Sequence, residues 1–379
     1  MTSLSRADLG SRIARARDAA DLSQTDLAEL IGLSQSAISR IESGQRGIDS
    51  LELAAIAEAL GVSVLDLLEP RPLAQRLRVA ARQQDVESTV VEKAIDRVSD
   101  VIRFWELIDR REPILVPTFH APDTGRAIDQ GRTLADEARA QWDLGDDPLP
   151  DLFGVIEDQA GLPILLEPLG SGLDGLLVRT EEFALALVDS SGTFGRQRFT
   201  AAHELCHFLA GDGELLVIDE DVFAGGSTSE MRANAFAAHF LMPRDGIERY
   251  LRNRAVDANV LAELQFVFGV SLDSLLWHLL NNEFISENDR RRIKQIGAKT
   301  LAFRAGYADE WDAAEKRRNV RRPPRMLLLE AIDAYADGLI GIEPLADLLG
   351  RDDREELRRE LDDHGIGRED RWWEPTAPA

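Results

Sequence analysis

The sequence lacks several features that would place the protein in a membrane or in an oxidising compartment. The chain of 379 residues has one cysteine, Cys206, which excludes an internal disulfide and suits a reducing cytoplasm. No run of about 18 apolar residues is present, so no membrane span is predicted. The first residues have no apolar signal-peptide core. We therefore expect a soluble, cytoplasmic protein with no membrane partner.

Positive charge is also scarce. The formal net charge is −24, which argues against broad, non-specific nucleic-acid binding because such binding relies on neutralising phosphates. The hydrophobic fraction of 44% is ordinary for a globular protein and excludes wholesale disorder. A chain of this length is longer than a single hydrophobic core usually accommodates, so we expect about two or three domains.

Histidine is rare as well, with six residues in the chain, yet two of them form a metal-site pattern. His203, Glu204 and His207 stand in the order His-Glu-x-x-His on a predicted helix. Residues four apart lie on one face of a helix, so both imidazoles can reach one ion while Glu204 holds a water beside it. The alternative is an amphipathic helix that merely exposes these three side chains.

A second helix is predicted to begin near Glu230 and to end at Pro243, because the residue before a proline is pushed out of the helical region. Its small residues Ala233 and Ala237 would let another helix approach closely. Two histidines with Glu230 would form a catalytic zinc set whose fourth position is left for water.

Other side chains near this motif compete for a role. The stretch between the two helices contains carboxylates, including Asp212 and Asp219, that are rivals to Glu230 as the third ligand, although a loop holds a ligand less firmly than a helix does. His239 is predicted to face away from Glu230 around the helix. Cys206 is expected to pack in the core, with redox sensing as a lesser alternative.

The two motifs together resemble the ImmA/IrrE metallopeptidase family. The resemblance spans about residues 126–284 and rests on the segments Arg198-Phe199-Thr200-x-x-His203-Glu204-x-x-His207, Glu230-x-x-Ala233-Asn234-x-Phe236-Ala237 and Leu241-Met242-Pro243. It implies a gluzincin-like zinc endopeptidase in which His203, His207 and Glu230 bind one Zn²⁺ per chain. Glu204 would be the general base, and the substrate a repressor-like protein. Cys206 departs from the family's usual glycine and could crowd the packing behind the zinc.

The first 70 residues predict a DNA-binding domain of five short helices. Ser23 is a candidate N-cap with Asp26 in a capping box, Gly32 begins a tight turn, and a second helix runs from Gln35 to about Ser43. This segment resembles the Cro-like (XRE) helix-turn-helix of phage repressors, in which the second helix enters the major groove.

By that resemblance Gln35, Ser36 and Arg40 face base edges, whereas Gln24 touches a phosphate. A solvated polar face is the alternative for each of them. Residues 1–69 carry a net charge of −5, so weak binding by one chain and a homodimer on a double-stranded operator are expected.

We predict a mainly α (α+β) protein in four parts. Residues 1–70 are the helix-turn-helix domain, 71–125 a helical connector or dimerisation segment, 126–284 the peptidase domain with a small β-sheet, and 285–379 a helical C-terminal region of unknown role. The basic run from Arg321 to Arg325 is predicted to be a solvated face.

The predicted function is a DNA-binding transcriptional regulator whose zinc endopeptidase domain cleaves a repressor-type protein. Two alternatives stay open. The peptidase-like domain could sense metal or bind a partner without proteolysis, or the chain could be an antitoxin-like partner of a toxin that acts through its first 70 residues.

Overall fold

A computed structural model describes most of the chain, namely residues 6–20, 22–60, 64, 67, 73–83, 88–108, 119, 125–170, 172–180, 183–212, 215–219, 222, 226–252 and 254–366. The chain divides into two compact units, Met1–Arg76 and Leu77–Ala379. The predicted hinge at residues 70–72 and the terminal segment after residue 366 lie outside the described residues. Within the described part no single helix is long and apolar enough to span a membrane. The helices Ala258–Phe268 and Leu272–Asn281 reach that length and apolarity only when they are taken together, and the pair is bent by 106°.

The first unit is helical. Its helices are α1 (Arg6–Ala19), α2 (Gln24–Ile31), α3 (Gln35–Glu42) and α4 (Ser50–Ala59), and α5 (Leu73–Gln83) crosses the border of the two units. The predicted fifth helix of this domain falls mainly on residues outside the described ones. Four buried isoleucines and a leucine form the centre of the core: Ile13, Leu27, Ile38, Ile41 and Ile56.

The helix-turn-helix boundaries predicted from sequence are confirmed. Ser23 and Asp26 form a reciprocal capping box at the start of α2, and Gly32 ends that helix in the left-handed region with a φ of 71°. Ser34 caps α3 through the backbone N–H of Ala37. These local devices set the angle between α2 and α3.

The second unit places helices around one small sheet. Its helices are α6 (Thr89–Ile108), α7 (Ala127–Gln141), α8 (Leu152–Val155, continued by a π-helical turn over Ile156–Ala160), α9 (Phe194–Ala210), α10 (Thr228–Leu241), α11 (Arg244–Leu251), α12 (Ala258–Phe268), α13 (Leu272–Asn281), α14 (Glu287–Lys294), α15 (Ala298–Arg304), α16 (Ala308–Glu315), α17 (Arg325–Ala336), α18 (Ile342–Leu349) and α19 (Arg354–Asp363). The mainly α, α+β class is thereby confirmed.

The sheet has four strands, β1 (Ile164–Glu167), β2 (Gly175–Arg179), β3 (Ala184–Asp189) and β4 (Leu216–Asp219), in the order β1-β3-β2-β4. β1 runs parallel to β3, whereas β2 is antiparallel to both β3 and β4. The small β-sheet predicted within residues 126–284 is confirmed, whereas the Leu-Val-Ile run of β4 lies in a segment predicted to be a loop.

Helix α9 lies between the sheet and helix α10, and α10 is covered in turn by α7. Ala233 and Ala237 are fully buried, as their small size predicted. The close packing of α7 against α10 also requires a glycine at residue 131, because a Cβ there would lie 2.2 Å from the carbonyl oxygen of Arg232. The close approach of these helices fixes α10 beside α9.

The basic run near residue 321 is not the solvated face that the sequence predicted. Arg322 forms an antiparallel bridge with Leu166 on the outer edge of β1, and its guanidinium pairs with Glu157 at 2.6 Å. Arg321 pairs with the buried carboxylate of Glu167. This segment therefore covers the edge of β1, and the charges of Arg321 and Arg322 are paired with carboxylates of the second unit.

The described part of the predicted connector also packs inside the second unit. On α6, Arg97 pairs with Glu167 at 2.9 Å, and the indole of Trp105 donates to Glu330 at 2.9 Å. The described part of residues 71–125 contains two helices, α5 and α6. A dimerisation role for this segment, like the four-part division of the chain, stays a prediction.

We predict an acid-sensitive step in stability from the buried His278 on α13. Burial lowers its pKa to about 3, below the ~6.5 of an unfolded chain. Below about pH 6.5 the unfolded chain therefore binds the extra proton, and this histidine should remove about 2 kcal/mol of unfolding free energy by about pH 5.

Denaturant titrations at several pH values check this prediction. His278→Gln should flatten the loss of stability between about pH 7 and pH 5, and His364→Gln, at an exposed histidine, should leave it unchanged. Parallel curves for wild type and His278→Gln would contradict it.

Candidate metal centre and DNA-binding surface

The helix that carries the metal motif is held at both ends and along its sides. Thr193 caps the start of α9 through the N–H of Arg196, and Gly211 ends it with a φ of 72°. Arg198 is buried and donates to the carbonyls of Gly269 at 2.9 Å and Leu149 at 2.6 Å. Residues 197–209 are all buried, so the motif lies inside the protein.

Four potential metal donors converge beside α9. The Nε2 atoms of His203 and His207 are 3.0 Å apart. Glu230, in the first turn of α10, places one carboxylate oxygen 3.1 Å from the Nε2 of His203 and the other 3.4 Å from that of His207. Asp219, the last residue of β4, has its Oδ2 at 3.7 and 4.0 Å from the same two nitrogens. One donor atom from each residue lies within 4.8 Å of the others.

The second nitrogen of each histidine is fixed from behind. His203 donates from Nδ1 to the Oδ1 of Asn234 at 3.2 Å, and His207 donates from Nδ1 to Asp212 at 2.9 Å. Arg232 pairs with the carboxylate of Asp212. Because both Nδ1 atoms are occupied as donors, both Nε2 lone pairs face the shared space, which is the orientation that a metal site requires.

Glu204 projects from the same helix into a tightly packed, fully buried position. Neither of its carboxylate oxygens has a hydrogen-bond partner among the described residues. Burial raises the pKa of this carboxyl well above its usual range, and the negative charge of Asp219 adds to the shift. Gly175 on β2 makes the room, because a Cβ at that position would lie 2.0 Å from Oε1 of Glu204.

The charges around the two histidines favour a cation. Burial opposes protonation of His203, but Asp219 and Glu230 outweigh it and raise the pKa of the ring to about 9. Burial would raise the pKa of Asp219, whereas its contact with His203 lowers it to about 2. Two imidazole nitrogens and two carboxylates match the ligand types and spacing of zinc, so the residues fit the ion.

The sequence predicted that His203, His207 and Glu230 lie together, but it did not predict the roles of Asp219 and Asp212. Asp219 was treated as a loop residue, but it ends a strand that pairs with β2, so its position is rigid. Asp212 was treated as a rival ligand, but it faces Nδ1 of His207 rather than the shared space. His239 packs edge-on against His278, away from the centre as predicted, and Cys206 is fully buried.

The predicted DNA-contacting residues lie on one side of the first unit. Gln35, Ser36 and Arg40 are exposed on α3, while Ile38 and Ile41 on the same helix are buried.

These side chains bond to each other in the DNA-free chain. Gln35 donates to Gln24 at 2.8 Å, and Gln24 donates to Glu42 at 2.8 Å. Arg40 donates to the carbonyl of Ser36 at 3.2 Å. DNA would have to replace these contacts.

Sequence profiles of two protein families match these two regions. The helix-turn-helix family matches residues 13–67, and the IrrE N-terminal-like domain family matches residues 157–279. The chain therefore carries an XRE-type helix-turn-helix domain followed by an IrrE-like metallopeptidase-type domain.

Similar proteins are found among metalloproteases. The radiation response metalloprotease IrrE of Deinococcus radiodurans is 32% identical over 172 residues, covering 44% of this chain and 50% of that protein. The protein of the same name from Deinococcus deserti is 32% identical over 136 residues, covering 35% and 47%. The chain thus spans about half the length of the curated relatives it matches.

Solved structures add little. The PlcR protein of Bacillus thuringiensis, crystallised with the peptide PapR7 and DNA, aligns over 88% of this chain and 99% of that one, at 14% identity and a TM-score of 0.19. A likeness at that level bears on neither fold nor function.

We predict that Gly175→Ala disrupts the position of Glu204. The new methyl group would overlap Oε1 of Glu204 and also meet Cγ2 of Thr200 at 2.7 Å. Overpacking of this kind costs about 1–3 kcal/mol, which denaturant unfolding would measure. Gly226→Ala is the control, because a Cβ there meets nothing within 4 Å. Equal stabilities for the two variants would contradict the close contact.

Proposed function

We propose that this protein is a cytoplasmic transcriptional regulator whose gluzincin-like zinc endopeptidase domain cleaves a repressor-type protein. The observation that carries the peptidase half is the joint convergence of His203, His207 and Glu230 beside an unpartnered, buried Glu204. The helix-turn-helix domain would bring the peptidase to operator DNA, where a DNA-bound substrate is at high effective concentration.

In the proposed site His203, His207 and Glu230 hold the zinc ion. When bound by such a set, zinc acts as a Lewis acid and makes water a nucleophile near neutral pH. Asn234 and Asp212 keep the two imidazoles aimed at the ion by accepting from their Nδ1 atoms.

Glu204 supplies the acid–base chemistry. One oxygen of its carboxylate takes the proton of the attacking water, and the same group then gives that proton to the leaving amine. Gly175 keeps the carboxylate in place by leaving it space. Burial of His203, Glu204 and His207 strengthens the electrostatic contacts in this site.

Two other functions predict different behaviour of the same residues. A non-proteolytic metal sensor needs the ligands but has no use for Glu204, and an antitoxin-like partner needs only the first unit. A buried carboxyl without partners is costly to keep, and this cost favours the enzyme. A cleavage assay on candidate repressors separates the first alternative, and the identity of the neighbouring genes separates the second.

Metal analysis tests the ligand set. Purified protein should contain about one zinc-class ion per chain, and His203→Ala or His207→Ala should lose it. Asp212→Ala removes a residue that only holds a ligand in place, so it should weaken metal affinity by about 10–100-fold. Glu230→Ala removes a ligand and should weaken metal affinity by more than about 100-fold. Full affinity in Glu230→Ala beside a large loss in Asp212→Ala would exclude Glu230 as a ligand.

The general base is tested by Glu204→Gln. This variant should keep the metal and the fold, because the amide has the same shape, and should lose cleavage of a candidate repressor by at least about 10²-fold. Metal content and peptide products would be measured on the same preparation. Undiminished cleavage would rule out Glu204 as the base.

DNA binding is tested by single replacements on α3. Gln35→Ala and Arg40→Ala should each relax base preference at particular operator positions, costing about 1–3 kcal/mol. Ser39→Ala is the matched control, because Ser39 on α3 is only partly exposed, unlike Gln35 and Arg40. Equal weakening at every operator sequence would indicate that Gln35 and Arg40 contact only phosphates. In all variants the affinity for DNA should fall steeply as the salt concentration rises.

A further inference from the structure

The carboxylate of Asp219 has no part in the proposed reaction, although it points into the metal centre. Its side chain is 3% exposed, and Oδ2 has no hydrogen-bond partner among the described residues. Its backbone carbonyl accepts from the N–H of Asp174 at 2.8 Å, so the end of β4 is fixed to β2. A buried carboxylate oxygen without a partner is costly and calls for a cation or a proton donor.

The distances suit a direct bond to the metal. Two atoms that each bind one zinc ion at about 2.0–2.2 Å can lie at most about 4.4 Å apart. Oδ2 of Asp219 lies 3.7 Å from His203 Nε2 and 4.0 Å from His207 Nε2, within that bound for both. A carboxylate that reached the metal only through a water would stand a further hydrogen-bond length, about 2.7 Å, away.

The sheet also directs Asp219 toward Glu204. Asp219 pairs with Gly175 in the register of β2 and β4, and paired residues project to the same face of a sheet. A Cβ on Gly175 would point at Oε1 of Glu204. The two carboxylates therefore flank the same glycine, and Asp219 enters the space in which Glu204 needs a water.

A catalytic zinc keeps one position for water, whereas four protein donors complete a tetrahedral set. We propose that Asp219 is a fourth protein ligand and occupies the water position in the resting protein. The proposal rests on the metallopeptidase function proposed above. On activation the carboxylate of Asp219 would leave this position and a water would take it, without electron transfer.

The test uses the full chain loaded with Mn²⁺, whose bound, exchanging water is counted by the relaxation rate of solvent protons. Asp219→Ala should keep about one ion per chain, bind it at least about tenfold more weakly, and increase the proton relaxation rate per ion. Cleavage of a candidate repressor by the zinc form should rise several-fold. Asp219→Asn preserves shape and should act in the same direction if the alanine variant does not fold.

Asp189→Asn is the matched control, because Asp189 is a buried carboxylate at the end of β3 that accepts from backbone amides such as that of Leu169. It should change neither metal affinity nor relaxation rate. An unchanged relaxation rate in both Asp219 variants would overturn the proposal, as would loss of metal together with activity. Failure of every form to cleave would count against the peptidase function, while the relaxation rate would still decide the ligand.

Discussion

Helix α9 is buried along most of its length, and the structure of the second unit depends on satisfying the polar groups that this burial traps. No carboxylate among the described residues forms an ion pair with Arg198, which donates instead to carbonyls at the end of α12 and in the loop before α8. The two histidines use Asn234 and Asp212, which come from α10 and from the turn after α9. Arg198, His203 and His207 on α9 are thus each tied to neighbouring elements of the second unit.

This arrangement would couple metal binding to the folding of the second unit. Helix α10 contributes Glu230 to the donors, Asn234 to His203 and Arg232 to the carboxylate behind His207. An ion bound here would join α9, α10 and β4 through one point, and its binding free energy would add to the stability of the whole unit. Without a cation, the crowded carboxylates repel each other in a medium where water cannot screen them.

Local sequence signals predicted the parts of this structure that depend on neighbours in the chain. The capping box at Ser23, the helix bearing His203 and the helix beginning near Glu230 all follow from short patterns. β4 could not be predicted in the same way, because a four-residue apolar run becomes a strand only when β2 is available to pair with it. The ion pairs of Arg321 and Arg322 likewise depend on carboxylates more than a hundred residues earlier in the chain. Spacing alone could not rank Asp219 against Glu230, since both become neighbours of the histidines only in the folded sheet.

The cover on the outer edge of β1 has a consequence for how the protein is made. Arg322, which bonds to the carbonyl of Ile164, lies 158 residues after it. A ribosome that has finished the sheet has therefore not yet made the segment that closes its edge, and for tens of seconds or less the nascent chain presents unpaired strand groups to its surroundings. The acidic surface of the protein gives neighbouring nascent chains like charge at that stage, and their mutual repulsion keeps the open edges apart.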